Sequence, residues 1–180
     1  MKIPFHRSYW AVPGQLLAGC YPGDRDRSEC TAKLQGLVKT GVTLVVTLME
    51  ETETDHNGNC FQDYSVELGS LAQAAGQKLR VERFPIRDQS VPTPSHMRSI
   101  LDAIGDEICA GGVVYVHCWG GKGRTATVIG CHLLEITTLS AEDVLRKLKT
   151  LTAHASESFW PTPQTEEQSA FICSWRDVHD

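Results

Sequence analysis

Long apolar runs are absent from this 180-residue sequence, and none approaches the roughly 18 residues that a membrane-spanning helix needs. An excess of positive charge is absent as well, because 17 lysines and arginines face 22 aspartates and glutamates and leave a net charge of −5. A mildly acidic protein has no general attraction for nucleic acid or an anionic membrane. If the protein handles an anion, a local arrangement of residues must attract it against the overall field.

Paired metal ligands and paired cysteines are missing too. No two histidines have the spacing of metal ligands, and no two of the seven cysteines stand at C-x-x-C spacing. We therefore expect no metal and no cofactor. The odd number of cysteines and the lack of a recognisable secretion signal predict free thiols in the reducing cytoplasm, on Cys20, Cys30, Cys60, Cys109, Cys118, Cys131 and Cys173.

Length and composition fit one globular domain over residues 1–180. Hydrophobic residues make up 41% and charged residues 22% of the chain, which is typical of soluble folded proteins and argues against disorder and coiled coil. Short strand patterns alternate with helix patterns. This alternation predicts an α/β fold with a central, twisted, mostly parallel sheet of four to five strands and helices on both faces. Residues 1–14 are predicted to be an irregular segment packed on the body of the domain.

Local signals predict the individual elements. Val42 to Leu48 is predicted to be a buried strand because it is short, apolar and rich in β-branched residues. Thr93 followed by Pro94 indicates a helix N-terminus. The other strands are predicted at 15–18, 79–84 and 113–117, and helices at 28–39 (capped by Ser28), 62–75, 93–110, 124–136, 140–151 and from Thr165 to about Val178.

One segment concentrates the chemistry, where the strand at 113–117 runs through a glycine-rich loop into the helix at 124–136. Glycines allow the backbone to curl so that successive N–H groups point inward, and the helix adds the positive end of its dipole. The expected product is a cradle for a phosphate-sized anion, which begins at Cys118 and continues through Trp119, Gly120, Gly121, Lys122, Gly123 and Arg124.

The two ends of this cradle suit phosphoryl transfer. A cysteine among inward N–H groups near a helix N-terminus is favoured in its thiolate form, so Cys118 could attack phosphorus. Arg124 could hold two phosphate oxygens with its planar guanidinium and stabilise the transition state. A Walker A loop fits poorly, because Gly123 follows Lys122 where that motif needs serine or threonine. A plain strand–turn–helix with a chance cysteine would leave the rest of the pattern unexplained.

The pattern His117-Cys118-x5-Arg124-Thr125 resembles the signature of the cysteine-dependent protein tyrosine phosphatase superfamily. The resemblance implies that Cys118 is the nucleophile of a phosphocysteine mechanism and that the loop amides and Arg124 bind phosphate. It gives Thr125 the role of stabilising the departing thiolate. It gives His117 the role of orienting the loop, and a core histidine satisfied by hydrogen bonds is compatible with that role.

The same resemblance implies an acid and a water-orienting residue. The family places an aspartate on an upstream loop, after a strand and near a proline, to protonate the leaving oxygen, and Asp88 has this position 30 residues before Cys118. The stretch 163–171 resembles the family's glutamine loop, which implies that Gln164 orients the hydrolytic water and Gln168 supports it. A solvated loop aspartate and ordinary helix-start residues are the alternative interpretations.

The resemblance spans most of the chain, from Trp10 to Trp175, and its opening stretch is similar to small dual-specificity and kinase-associated phosphatases. Ala126 departs from the glycine that the family usually has, and the acid loop lacks the Trp-Pro-Asp of the large tyrosine-specific branch. The acidic run 50–53 follows a strand where some members place a loop beside the active site, but we expect it to be a solvated turn.

The loop leaves the substrate open. The tail Gly-Lys-Gly-Arg-Thr, with Lys122, resembles the phosphoinositide-phosphatase branch, whereas Trp119 replaces the basic residue that this branch usually has after the cysteine. We expect a monomer that hydrolyses a phosphorylated protein, with phosphotyrosine as the first candidate. An inositol phosphate or another small phosphomonoester is the alternative, and an inactive phosphate-binding module is the second alternative. A reactive thiolate also predicts inactivation by peroxide, with Cys131 or Cys109 as a candidate resolving thiol.

Overall fold

The computed structural model describes residues 1–153 and 161–177, and it confirms the predicted α/β architecture. Five strands form one sheet in the order β1-β2-β5-β3-β4. The elements are β1 (Ser8–Val12), β2 (Leu16–Gly19), α1 (Arg27–Lys39), β3 (Leu44–Thr47), α2 (Ser65–Ala74), β4 (Arg80–Arg83), α3 (Pro94–Cys109), β5 (Val114–His117), α4 (Arg124–Ile136), α5 (Ala141–Thr152) and α6 (Glu166–Ser174).

Strand β5 lies at the centre of the sheet, between β2 and β3. It runs parallel to both of them, and β3 runs parallel to β4. In open parallel sheets, ligands bind beyond the carboxyl ends of the strands, where the strand order reverses. The loop that follows His117 therefore begins at the point of the sheet where the topology provides a crevice.

The sheet has a hydrophobic core on each face because side chains alternate along its strands. Val114 and Val116 of β5 pack in the core beneath α3, α4, α5 and α6. Tyr115, between them, packs in the core that contains residues of α1 and α2. Every residue of β2, β3 and β5 is buried, as expected for central strands covered on both faces.

The N-terminal segment corrects the prediction for residues 1–14. Ser8–Val12 form a fifth strand, β1, which pairs antiparallel with β2 across a turn that contains Gly14 in a left-handed conformation (φ 77°). Tyr9 and Ala11 face one core and Trp10 the other, so the segment does alternate. The prolines at 4 and 13 obscured this pattern, since they mark irregular structure in sequence.

The helix boundaries are close to the predicted ones, with one wrong cap. Asp26, not Ser28, caps α1, because its carboxylate accepts hydrogen bonds from the N–H groups of Ser28 and Glu29. Thr93 caps α3 with Pro94 in its first turn, as predicted. Helix α6 ends at Ser174, and the predicted end near Val178 lies outside the described residues.

The described ranges contain neither a membrane-spanning helix nor a cluster of metal ligands. Within residues 1–153 and 161–177, no helix has both the length and the apolar character to cross a membrane. In the same residues, no three histidine, cysteine or acidic side chains come together as metal ligands.

Candidate active site

The loop between β5 and α4 curls around the thiol of Cys118. The Gly121 N–H donates a hydrogen bond to Cys118 Sγ over 3.3 Å, and the cysteine is 3% exposed at the base of a pocket. Gly121 has a φ of 79°, and a Cβ there would lie 2.6 Å from the backbone carbonyl carbon of Gly19. Only glycine fits this approach, so β2 and the loop pack closely and fix the curl.

His117 holds the base of this loop from inside the core. Its Nδ1 contacts the carbonyl oxygen of Cys118 at 3.1 Å, and its Nε2 contacts the hydroxyl of Tyr64 at 2.5 Å. A carbonyl only accepts, so Nδ1 carries the proton and Nε2 accepts from Tyr64. Burial lowers the pKa of His117 to about 3, and the charges of Arg124 and Arg83 act in the same direction. The ring is therefore neutral. No local pattern in the sequence pointed to Tyr64 as its partner.

Arg124 is held by two carboxylates. Its Nη1 and Nη2 lie 2.7 and 2.8 Å from the two carboxylate oxygens of Glu53, and Nη2 lies 2.8 Å from Asp88 Oδ1. Burial opposes the charge of Arg124, but the hydrogen bonds to Glu53 and the charges of Cys118, Glu53 and Asp88 outweigh it and raise its pKa. The expectation of a solvated acidic turn is thus wrong for Glu53, which the fold places against Arg124.

The acid and glutamine candidates line the same pocket as Cys118. Asp88 stands on the loop after β4, with its side chain 40% exposed. Gln164 comes from the loop before α6. Gln168 links these two loops, because its side-chain oxygen accepts from the N–H groups of Gln164 and Thr165 and its amide nitrogen donates to the carbonyl of Ser90. Asp88 and Gln164, which are 76 residues apart in sequence, therefore lie in one cleft.

One implied contact is not made. Thr125 is fully buried, and its hydroxyl has no hydrogen-bond partner among residues 1–153 and 161–177. The hydrogen bond to Cys118 that the resemblance implies for Thr125 is therefore absent from this structure. Nε of Arg124 is likewise buried and without a partner in the described part of the chain.

The pocket has a volume of about 240 Å³, with one aromatic and one basic wall. Trp119 forms the aromatic wall, where its ring lies 4.4 Å from the ring of His56 and 5.3 Å from that of Phe61. Lys122 and Arg7 contribute the positive charges. Arg7 was not predicted as a site residue, because nothing near it in the sequence points to an active site.

Comparison with known proteins agrees with this geometry. The family described as "PTP-SAK: Swiss Army Knife protein, DSP-PTPase phosphatase domain" matches residues 6–160. The chain belongs to this phosphatase family. The match contains the cysteine loop, the Asp88 loop and the acidic run, and it leaves out the glutamine loop.

The chain is also similar to curated phosphatases and to solved structures of this fold. It is 26% identical over 145 residues to the dual specificity protein phosphatase CDC14C of Symphalangus syndactylus, covering 76% of this chain but only 26% of that protein. It is 25% identical over 157 residues to phosphatidylglycerophosphatase and protein-tyrosine phosphatase 1 of Mus musculus, covering 87% of this chain and 74% of that protein. The structure of kinase associated phosphatase superposes with a TM-score of 0.70 at 19% identity, covering 96% and 93% of the two chains, and this likeness shows the fold alone.

The ion pair between Arg124 and Glu53 gives a prediction about stability in this PTP-SAK domain. We expect Glu53→Gln to lower the free energy of unfolding by about 1–3 kcal/mol, less than the 3–5 kcal/mol of a fully broken buried pair, because Asp88 and backbone carbonyls still hold Arg124. Urea denaturation measures this, with Glu51→Gln, an exposed neighbour on the same loop, as the control. Equal stability of the two variants would contradict the assignment.

The structure separates both candidate resolving thiols from Cys118. A disulfide needs Cα atoms about 4.4–6.8 Å apart. Cys109 is the last residue of α3 and precedes β5, whereas Cys118 follows the far end of β5. The length of the strand, about 13 Å, therefore separates the two residues. Cys131 lies about 10 Å along α4 from Arg124, and burial raises its pKa. From these element lengths we expect that neither thiol forms a disulfide with Cys118 in this fold.

Oxidation of the PTP-SAK domain should therefore not depend on either thiol. We expect peroxide to inactivate the protein and dithiothreitol to restore it after short exposure, because a sulfenic acid on Cys118 is reducible directly. Residual phosphatase activity measures this in the wild type, Cys109→Ser and Cys131→Ser, with equal inactivation and recovery expected in all three. Loss of recovery in either variant would show that the helices move far enough to bring that thiol to Cys118.

Proposed function

We propose that the protein hydrolyses phosphomonoesters through a phosphocysteine intermediate. The observation that carries this is the meeting of four groups from three segments of the chain: the Cys118 thiol, the Asp88 carboxyl and the Gln164 amide line one pocket, and the Arg124 guanidinium lies 2.8 Å from Asp88. These are the groups that a nucleophile, an oxyanion clamp, a proton donor and a water ligand require. Membership of the PTP-SAK phosphatase family supports the same chemistry.

In the first step, the Cys118 thiolate attacks phosphorus, the S–P bond forms and the bond from phosphorus to the leaving oxygen breaks. Asp88 gives its proton to that oxygen, so the product leaves as a neutral alcohol or phenol. The loop amides and Arg124 bind the equatorial oxygens, with Arg124 released from Asp88 and retained by Glu53. His117 keeps the loop in place through the carbonyl of Cys118.

In the second step, water attacks the phosphocysteine. Gln164 orients the water, and its amide can both donate to and accept from it. Asp88, now ionised, takes a proton from the water as the new P–O bond forms. The S–P bond breaks and Cys118 leaves as the thiolate, ready for another cycle. We assign to Thr125 the stabilisation of that thiolate, because its buried hydroxyl has no competing partner among the described residues.

Two substrate classes fit the pocket, and different lining residues favour each class. The indole of Trp119 gives a phosphotyrosine ring a face to pack on, which supports a protein substrate. Lys122 and Arg7 favour a small phosphomonoester with more than one anionic group. One relative is named both phosphatidylglycerophosphatase and protein-tyrosine phosphatase. We propose a monomer in a reducing compartment, in keeping with seven free cysteines.

Phosphate release without added metal tests the proposal. The substrates are phosphotyrosine, phosphoserine and phosphothreonine peptides and inositol phosphates, each offered to the wild type and to Cys118→Ser. Turnover by the wild type that is lost in the variant supports the phosphocysteine mechanism, and the preferred substrate identifies the class. No turnover on any substrate, with inorganic phosphate still bound, would favour a phosphate-binding module instead.

A further inference from the structure

The side chain of Arg7 enters the catalytic pocket from the N-terminal segment. Its Nη2 donates a hydrogen bond to the carbonyl oxygen of Gly120 over 3.2 Å, two residues beyond Cys118. The residue lies 113 positions from Gly120 in sequence, and it lines the same pocket as Cys118 and Lys122. A guanidinium therefore stands beside the phosphate cradle without being part of the signature loop.

The backbone holds Arg7 in this position. Its φ of 65° is a left-handed conformation that non-glycine residues rarely adopt. The neighbouring Ser8 is fully buried and its hydroxyl donates to the carbonyl of Phe5 over 2.6 Å. The carbonyl of Arg7 accepts from the N–H of Cys20, at the end of β2. A strained backbone conformation that hydrogen bonds hold in place next to an active site indicates a functional residue.

The guanidinium of Arg7 has donors to spare. It carries five N–H groups, and within the described ranges its one hydrogen-bond acceptor is the carbonyl of Gly120 and no carboxylate lies within ion-pair distance. Arg124, by contrast, is bound by both Glu53 and Asp88. The charge of Arg7 is also felt by Lys122, whose pKa is lowered first by burial and then by that charge. An anion between the two cations would relieve this repulsion.

We propose that Arg7, with Lys122, forms a subsite for a second phosphate group on the substrate whose first phosphate is hydrolysed at Cys118. This rests on the proposed phosphatase function and adds the substrate class. A planar guanidinium can bind two phosphate oxygens at once, which makes arginine well suited to such a subsite.

The geometry favours a small polyol with several phosphates over a doubly phosphorylated peptide. Both the hydrolysed and the second phosphate must lie within one pocket of about 240 Å³, because Arg7 binds the loop only two residues from Cys118. Phosphates on neighbouring atoms of one ring satisfy this requirement. Phosphorylated side chains of successive residues point to opposite sides of an extended peptide, so the second one would lie outside the pocket.

Paired substrates test Arg7 directly. The wild type, Arg7→Gln, Arg7→Lys and Arg27→Gln are assayed on inositol monophosphate and inositol bisphosphate. Arg27 is exposed on α1, and Arg27→Gln removes the same charge outside the pocket, so this variant is the matched control. We expect Arg7→Gln to lower kcat/KM on the bisphosphate by about 10-fold to 100-fold, the range of charge-assisted hydrogen bonds, and on the monophosphate by about threefold at most. Arg7→Lys should recover part of the loss, and Arg27→Gln should change neither substrate.

Two further substrates show which kind of molecule carries the second phosphate. Phosphatidylcholine vesicles that carry phosphatidylinositol bisphosphate present the same headgroup on a lipid, and comparison with soluble inositol bisphosphate separates the two sources. A doubly phosphorylated peptide is the third substrate, and an Arg7 dependence seen on it alone would overturn the polyol assignment.

The outcomes separate failure of this proposal from failure of the proposed function. Equal losses on the monophosphate and the bisphosphate in Arg7→Gln, with turnover by the wild type intact, would overturn the subsite and leave the phosphatase mechanism standing. If the wild type turns over no substrate, calorimetric binding of inositol bisphosphate to the wild type and to Arg7→Gln still decides the subsite, which is rejected by equal affinities.

Discussion

We expect Cys118→Ser to abolish turnover on every substrate, by at least about 10⁴-fold in kcat, because the serine hydroxyl stays protonated at neutral pH and would not replace the proposed thiolate nucleophile. The rest of the cradle is unchanged, since the Gly121 N–H can donate to the serine oxygen in place of Cys118 Sγ. Release of para-nitrophenol from para-nitrophenyl phosphate measures the loss. Calorimetric binding of inorganic phosphate to the same variant shows that the pocket remains intact.

The matched control for Cys118 is Cys109→Ser, an exposed cysteine at the end of α3 that does not line the pocket. It should keep wild-type kcat and KM. Turnover retained in Cys118→Ser would remove the phosphocysteine mechanism and require another nucleophile. Turnover lost equally in the Cys109 variant would point to unfolding rather than to chemistry.

We expect Asp88→Asn to lower kcat by about 10²–10⁴-fold, which is the usual contribution of a positioned general acid. The loss in kcat/KM, which reports the first step alone, should depend on the leaving group. It should be small for para-nitrophenol, which leaves as a stable anion, and large for an alkyl or unsubstituted phenyl group, which needs the proton. The measurement is the slope of log kcat/KM against leaving-group pKa for a series of aryl phosphates, which we expect to steepen in the variant.

Asp106→Asn is the matched control for this prediction, because Asp106 is an exposed aspartate on α3, away from the pocket. Its slope should equal that of the wild type. An unchanged slope in Asp88→Asn would mean that Asp88 holds Arg124 through their ion pair but does not protonate the leaving group.

The sequence predicted the glycine-rich loop of the candidate site because the groups that define it are close together in the chain. Five residues separate Cys118 from Arg124, and the glycines between them and the buried strand before them are local features. Helix starts were predictable for the same reason, since the Thr93 hydroxyl caps an N–H three residues away. The family match over residues 6–160 agrees with what these local features indicated.

Sequence reasoning failed where the deciding partner is distant in the chain. Glu53 was indistinguishable from its exposed neighbour Glu51, because its partner Arg124 lies 71 residues away. Strand β1 was missed since its pairing with β2, and not its own composition, makes it a strand. A short segment has no stable extended form until a neighbouring strand satisfies its backbone groups.

By itself, then, the sequence determined the fold class, the nucleophile candidate and its phosphate cradle, because the spacing of consecutive residues specifies a strand, a glycine turn and a helix. Only the tertiary structure decided which remote side chains complete the site. The order of the strands places β5 at the centre of the sheet and brings Glu53, Asp88 and Gln164 to its carboxyl end. The antiparallel pairing of β1 carries Arg7 to the same pocket. Such contacts form only when the core is packed, because the chain must close loops of 30 to 113 residues to make them.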